Sequence, residues 1–391
     1  MLFKRIVLEI FNMLTLPPLS LYIHFPWCIR KCPYCDFNSH TLVTALPEKN
    51  YMNRMLNDLE QDLEKICNRP ILSIFMGGGT PSLFSPEALN YLLTELAKRL
   101  EFSVDIEITL EANPGATDYS HFSGYREAGI TRLSLGIQSF STEKLKILGR
   151  IHNGDEAFKA VSAAKIAGFT NINLDLMHGL PQQRLTEGLE DLRKAVLLEP
   201  THISWYQLTV EPNTEFYLKP PQLPTEEEVW ELQEKGKEYF QQKAYTQYEI
   251  SALSKKRYRC VHNLNYWQFG DYIGIGAGAH SKITDCEKKI IRRTRKLKNP
   301  KAYLAQKNDF LAEEKIILDK DLPFEFMLNA LRLHQKIPIE LFQQRTGLTF
   351  SSIEALLQHA YDQGLLTYDS TVIETTELGK RFYNNLVSLF I

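Results

Sequence analysis

Residues 27–35 read WCIRKCPYC, and the cysteine spacing in this stretch, C-x3-C-x2-C, decides how the rest of the chain is read. The chain has 391 residues and six cysteines, and half of those thiols fall here. They follow an apolar run, LSLYIHF at 19–25, on a loop that leaves them free to converge. Zinc would ask for four protein ligands in a structural site, or three and a water in a catalytic one, with His24 or His40 able to add a nitrogen. A 4Fe–4S cluster usually takes four thiolates, so three would leave one iron with an open coordination position. Cys67, Cys260 and Cys286 are scattered, which excludes a secreted disulfide framework and indicates a reducing compartment, taken as the cytoplasm.

Outward from the loop, residues 19–253 repeat one pattern of a short apolar strand, a Gly- or Pro-containing loop and an amphipathic helix. Strands are predicted at LSLYIHF, ILSIFMG, IEITLEAN, RLSLGIQS, INLDLMHG and ISWYQLTV. Ser85 with Pro86 signals one helix start, and the acidic TEEE run at 225–228 another. The fold class predicted is α/β: a partial parallel (β/α)6 barrel followed by a smaller, mainly helical, winged-helix-like C-terminal domain. Right-handed crossovers place all strand C-termini on one rim. There the strands end in His24, Gly77–Gly79, Glu111 with Asn113, Gln138, Asp175 with His178, and Gln207. A ring of buried polar groups implies a bound polar ligand or a self-satisfied network, and for the whole ring the ligand is the expectation.

The expected boundaries are 1–18 as an N-terminal extension, 19–253 as the barrel, 254–299 as a connecting segment and 300–391 as the C-terminal domain. Lys4 and Arg5 precede an apolar run as in a signal peptide, but Glu9 and Asn12 interrupt it, and Met13 is an equally good start. No stretch reaches the roughly 20 apolar residues of a spanning helix. A net charge of −2 gives no general attraction to nucleic acid. In the winged-helix-like region, the segment in the recognition position carries Glu354, His359 and Asp362 without Lys or Arg, so a cap or partner-docking role is expected there. The basic run KKIIRRTRKLKNPK at 288–301 is expected as a charge-protected strand edge, or as a contact surface for carboxylates or anionic lipid.

The run GGGTP at 77–81 closes the second predicted strand, and glycine there lets backbone approach a ligand. With Cys28, Cys32, Tyr34 and Cys35 in C-x3-C-x-aromatic-C, the chain resembles the radical S-adenosylmethionine (SAM) superfamily. The resemblance implies that the three thiolates hold a 4Fe–4S cluster whose fourth iron is chelated by SAM, that Tyr34 lies near the adenine, and that Gly78, Gly79 and Thr80 meet the methionine moiety. Reductive cleavage of SAM to methionine and a 5′-deoxyadenosyl radical is the chemistry implied, with the protein supplying orientation and exclusion of water.

LYIHFPWC, EANPG, LSLGIQSF, LGRIHN, NLDLMHGLP and WYQLTVEPNT resemble one branch, the coproporphyrinogen dehydrogenase-like proteins, over almost everything after Leu16. By position, Tyr22, Glu111, Gln138, Arg150 and Asp175 are the implied SAM contacts. The dehydrogenases of this branch carry a fourth cysteine where this chain has Phe37, in CDFNSH. That places the chain closer to the haem chaperones of the branch, with the dehydrogenase reading second. HNLNYW at 262–267 is similar to the chaperones' haem motif, which implies that His262, Asn263, Tyr266 and Trp267 meet haem as cargo. An imidazole can ligate haem iron, and Tyr and Trp offer flat apolar faces. The partners implied are acceptor haem proteins, respiratory enzymes at the membrane among them. DYIGIGAGAHS at 271–281 is expected to be a tight loop near the cluster, with His280 facing the site.

Overall fold

A computed structural model describes residues 14–391, apart from the side chains of residues 116 and 117. The choice between Met1 and Met13, and the extension up to residue 13, lie outside the described residues. Six strands follow the predicted runs closely: β1 (Leu19–Phe25), β2 (Ile71–Gly78), β3 (Phe102–Ala112), β4 (Arg132–Gln138), β5 (Asn171–His178) and β6 (His202–Gln207). All pair in parallel in chain order. Their alternation sets one apolar face against the surrounding helices, while Ser20, Tyr22 and His24, or Glu107, Thr109 and Glu111, share the other.

The helices are built as the sequence indicates. Ser85 Oγ accepts from the Ala88 N–H and Pro86 opens the helix Pro86–Ala97, whose Leu89, Leu92, Leu93 and Leu96 are buried on one face. Thr225 and Glu228 form a reciprocal cap on Glu226–Gln242, with three acidic residues in its first turn.

Three expectations change. Asp271–Ile275 is not a loop: it is a fully buried strand, parallel to β1. With β7 (Thr246–Glu249), β8 (Ala252–Ser254), β9 (Asp271–Ile275), β10 (His280–Asp285), β11 (Ile290–Lys296) and β12 (Leu311–Ile317), it completes a mixed sheet of twelve strands, in the order β12-β11-β10-β9-β1-β2-β3-β4-β5-β6-β8-β7. The sheet is open, since β12 and β7 are its two ends. The tight turn lies just beyond β9, at Gly276 and Gly278, both at positive φ. Second, the basic run is an inner strand rather than an edge: β11 lies between β10 and β12, and Arg292 and Arg295 pair with Glu314 and Glu313 across the ladder. Third, the segment expected to open the C-terminal domain first contributes β12 to the main sheet, and the second hydrophobic core draws on Phe269 and Ile291 as well as on residues from Ile317 onward.

Beyond β12, the order is helix Leu322–Ala330, strand Ile337–Pro338, helices Ile339–Thr346 and Glu354–Asp362, and the antiparallel pair Leu366–Tyr368 and Val372–Thr375. This is the winged-helix order, built on a second core that includes Phe326, Phe342, Leu357 and Ile373 and is joined by Phe269 and Ile291. Among the described residues no helix is long and apolar enough to cross a membrane.

Candidate functional site

The three cysteines follow β1 on a loop held from three sides. Gly79 N–H donates to the Phe25 carbonyl (2.6 Å) and Thr80 N–H to that of Trp27 (2.8 Å). Phe216 N–H donates to Pro33 O (3.0 Å), and Asn38 Nδ2 to Ala277 O (2.9 Å). The glycines have a steric reason of their own. A Cβ at Gly79 would lie 2.6 Å from the Trp27 carbonyl oxygen, and one at Gly78, where φ is +111°, 2.4 Å from the His24 ring.

The loop opens onto a cavity of about 420 Å³ lined by Cys28, Cys32, Cys35, Tyr34, Gly78, Gly79, Thr80, Glu111, Gln138, Arg150 and Asp175. All three thiols are free and partly accessible. Burial pushes Cys28 and Cys35 upward, which an iron centre would have to offset. Arg150 puts its guanidinium 3.8 Å from Cys32 Sγ, and also donates to Asn113 Oδ1 (2.7 Å) and Gly136 O (2.8 Å). A fixed cation beside the sulfur favours a thiolate ligand. Among the described residues, no three His, Cys, Asp or Glu side chains gather around one ion position. A cluster takes one thiolate per iron and needs no such common point. The donors present, three thiols on one pinned loop beside an arginine, fit it.

The remaining polar groups hold one another. Asp175 accepts from Ser134 Oγ (3.0 Å) and Asn173 Nδ2 (2.8 Å), and burial raises its carboxyl. Gln138, at positive φ, accepts from the Tyr206 hydroxyl (2.7 Å). Glu111 Oε2 accepts from the Gly78 N–H (3.2 Å), and burial, followed by the neighbouring Asp175, pushes its carboxyl up to about 8. Such a pair of acids is ready to meet a cationic amine or ribose hydroxyls.

A second cavity, of about 500 Å³, shares Glu111, Gly78, Asp36 and Phe37 with the first. Its other walls are Tyr22, His24 and Phe75 from β1 and β2, His262, Asn263, Tyr266 and Trp267 from the helix Val261–Trp267, and Tyr272, Gly278, His280, Asn38 and Lys298. Tyr22, expected beside the thiols, belongs here: its hydroxyl hydrogen-bonds His24 Nδ1 (3.1 Å) and its ring lies 6.4 Å from that of His262. His178 lines neither cavity; it is buried against Trp205, with ring centroids 4.5 Å apart. Odd and even positions of β5 face opposite sides of the sheet, which puts Asp175 and His178 on different faces.

The Val261–Trp267 helix is fixed from below. Glu107 Oε1 on β3 accepts from the N–H groups of Val261 (2.9 Å) and His262 (3.4 Å). Asn265 Nδ2 donates to Ser20 Oγ (3.0 Å) and Asp271 O (2.9 Å). His262 Nδ1 lies 3.1 Å from Ser73 Oγ, and Ser73 donates to Ser20 Oγ (2.8 Å), so the imidazole donates through Nδ1 and keeps the Nε2 lone pair. Burial, and then Arg132 nearby, hold His262 neutral, down to about 3. Tyr266 stacks on Tyr272 at 4.3 Å, and Trp267 lies under the Arg332 guanidinium at 4.4 Å. Ser20, Ser73, Glu107 and Tyr206 escaped the sequence reading, although each is a polar residue at an inward-alternating strand position, which is the signal that could have found them.

Comparison with known proteins follows the two halves of this architecture. The Radical SAM superfamily model matches residues 22–195, and the HemN C-terminal domain model residues 317–382. Among curated proteins, the chain is 50% identical over 380 residues to the heme chaperone HemW of Haemophilus influenzae, covering 96% of this chain and 98% of that protein. It is 48% identical over 379 residues to HemW of Escherichia coli, covering 97% and 100%. HemW of Bacillus subtilis is 31% identical over 386 residues, covering 95% and 99%. Among solved structures, coproporphyrinogen III oxidase (HemN) of Escherichia coli superposes with a TM-score of 0.82 at 21% identity, over 99% of this chain and 93% of that one, a likeness of fold.

Proposed function

The chain belongs to the radical SAM superfamily and, within it, to the HemW family, and from that premise we propose that it binds haem and passes it to acceptor haem proteins in the cytoplasm. The observation that carries the proposal is the pair of adjoining cavities: one bears three thiols, the other a neutral imidazole among aromatic rings, and Glu111 with Gly78 is their common wall.

Cys28, Cys32 and Cys35 would hold a 4Fe–4S cluster and the surrounding cavity SAM. Such a cluster supplies one open iron position and one-electron reducing power. Arg150 steadies the charge at Cys32. Gly78 and Gly79 admit a ligand close to the backbone, Glu111 and Asp175 accept hydrogen bonds, and Tyr34 lines the same space. In the second cavity His262 Nε2 would ligate haem iron while Tyr266 and Tyr272 meet the porphyrin with flat surfaces. His262 arrives in one tautomer and uncharged, so little reorganisation opposes ligation.

The test is anaerobic reconstitution with iron and sulfide, followed by haem titration and transfer to candidate apo-acceptors. Haem should give a bound Soret band that His262→Ala and Trp267→Ala weaken, and transfer should fail when Cys28, Cys32 and Cys35 are replaced by Ala. Haem retention unchanged in both single variants would remove the assignment.

A further inference from the structure

The second cavity has a mixed lining. Phe75, Tyr266, Trp267 and Tyr272 supply its aromatic surface. His280 and Lys298, both exposed, supply its basic groups, and Asp36 and Glu111, shared with the first cavity, its carboxyl groups. Most cations of this hairpin are already matched: Arg292 with Glu314 (2.6 Å), Arg293 with Glu325 (2.5 Å), Arg295 with Glu313 (3.1 Å), and Lys296 with Asp58 (2.5 Å) and Asp62 (2.8 Å). Lys298 differs. Its carbonyl accepts from Asn38 Nδ2 (3.0 Å), which fixes its main chain beside the cysteine loop. Among the described residues its ammonium has no carboxylate partner, and the residue is exposed. The surroundings of His280 report the resulting field: after burial, Arg295, Lys298 and Arg293 are what hold its imidazole down, opposed by Glu313.

An aromatic surface with an unmatched cation in the same lining selects a flat, apolar ring system with carboxylates along one edge. We propose that Lys298, with His280 beside it, is the carboxylate-binding edge of this cavity, and that it recognises haem through its propionates. This rests on the haem reading above and assigns the end of the ligand remote from the iron. Arg292, Arg293 and Arg295, although they dominate the basic run in sequence, are committed to the sheet and to Glu325.

The experiment compares haem with its dimethyl ester, which has the same ring and iron but no propionate charge, on the full-length protein, by Soret titration. Wild type should bind haem roughly tenfold more tightly than the ester, the factor of a charge-assisted hydrogen bond at a partly wet site. Lys298→Met should bring haem down to the affinity of the ester and leave the ester unchanged; Lys298→Arg should restore the preference. His262→Ala should weaken both ligands alike. The proposal is overturned if Lys298→Met keeps the full preference for haem, or lowers both ligands equally. If neither ligand gives a bound Soret band in wild type, the haem reading itself falls, an outcome distinct from these.

Discussion

Glu111→Gln should stabilise the ligand-free fold while weakening its ligand site. The amide keeps the shape of the side chain and an acceptor for the Gly78 N–H, and removes only ionisation. In the folded chain the carboxyl is raised from its ordinary 4.5 to about 8, through burial and then the adjacent Asp175. Because the folded value lies above the unfolded one, the native state keeps a proton that the unfolded chain has released between these two values. Stability is therefore intact below pH 4.5, declines as pH rises through the interval, and levels off above 8. The whole interval is worth about 4–5 kcal/mol at 1.36 kcal/mol per unit, and contact with cavity water reduces this to roughly 2–3 kcal/mol. Urea unfolding of cluster-free protein should give coincident midpoints for wild type and variant near pH 4.5. Near pH 8 the variant should be the more stable by that amount. Calorimetry of SAM binding at neutral pH, in buffers of different ionisation enthalpy, should show release of about one proton in wild type and none in the variant. A variant less stable than wild type at pH 8, or a difference that does not change with pH, would refute the account of Glu111 as an acid held neutral by its surroundings.

Glu107→Ala removes the acceptor for the Val261 and His262 N–H groups and one of the two carboxylates, Glu107 and Asp175, that act on the buried Arg132. It should cost about 3–5 kcal/mol and speed hydrogen exchange across residues 261–268, with Glu107→Gln recovering part of both; exchange as slow as in wild type would count against the anchor. Ser73→Ala leaves the Nδ1–H of His262 buried without an acceptor. A loss of about 1–2 kcal/mol in unfolding, and altered axial-ligand bands of bound haem in magnetic circular dichroism, are expected, with Ser73→Thr closer to wild type. Gly79→Ala drives a methyl group against the Phe25 and Trp27 carbonyls, 2.7 and 2.6 Å from its Cβ. Far-UV circular dichroism should be retained while iron and sulfide bound per chain fall severalfold, because the strain, about 1–3 kcal/mol, bears on the cysteine loop.

What could be read in the sequence was local in origin. Six strands and the caps at Ser85 and Thr225 follow from spacing that each segment carries by itself, since alternation and capping report what a residue's near neighbours bury or satisfy. The cysteine motif was legible for the same reason: three thiols within eight positions cannot be far apart in any fold. The winged-helix order also came from consecutive short-range signals.

The second cavity was different. Its imidazole tautomer is set by Ser73, 189 residues away in sequence, the helix that carries it is held by Glu107 over 154, and the cysteine loop is tied to Ala277 over 239. Nothing in the neighbourhood of residue 271 announces that GAG at 276–278 follows a strand lying parallel to one at residue 19; glycine is required at 276 because the His24 carbonyl comes within 2.4 Å of where a Cβ would be, and at 278 because the Asn38 side chain comes within 2.3 Å. Tyr22 lines the second cavity rather than the first, and Lys298 has no carboxylate partner among the described residues while Arg292, Arg293 and Arg295 do, for a related reason. The sequence by itself determined the periods, the caps and the thiol motif, because these depend on neighbours within a turn or a strand. Tertiary structure decided which polar residues share a wall and which charges stay unmatched, because those are settled only when distant strands close on one another and burial selects each group's partner.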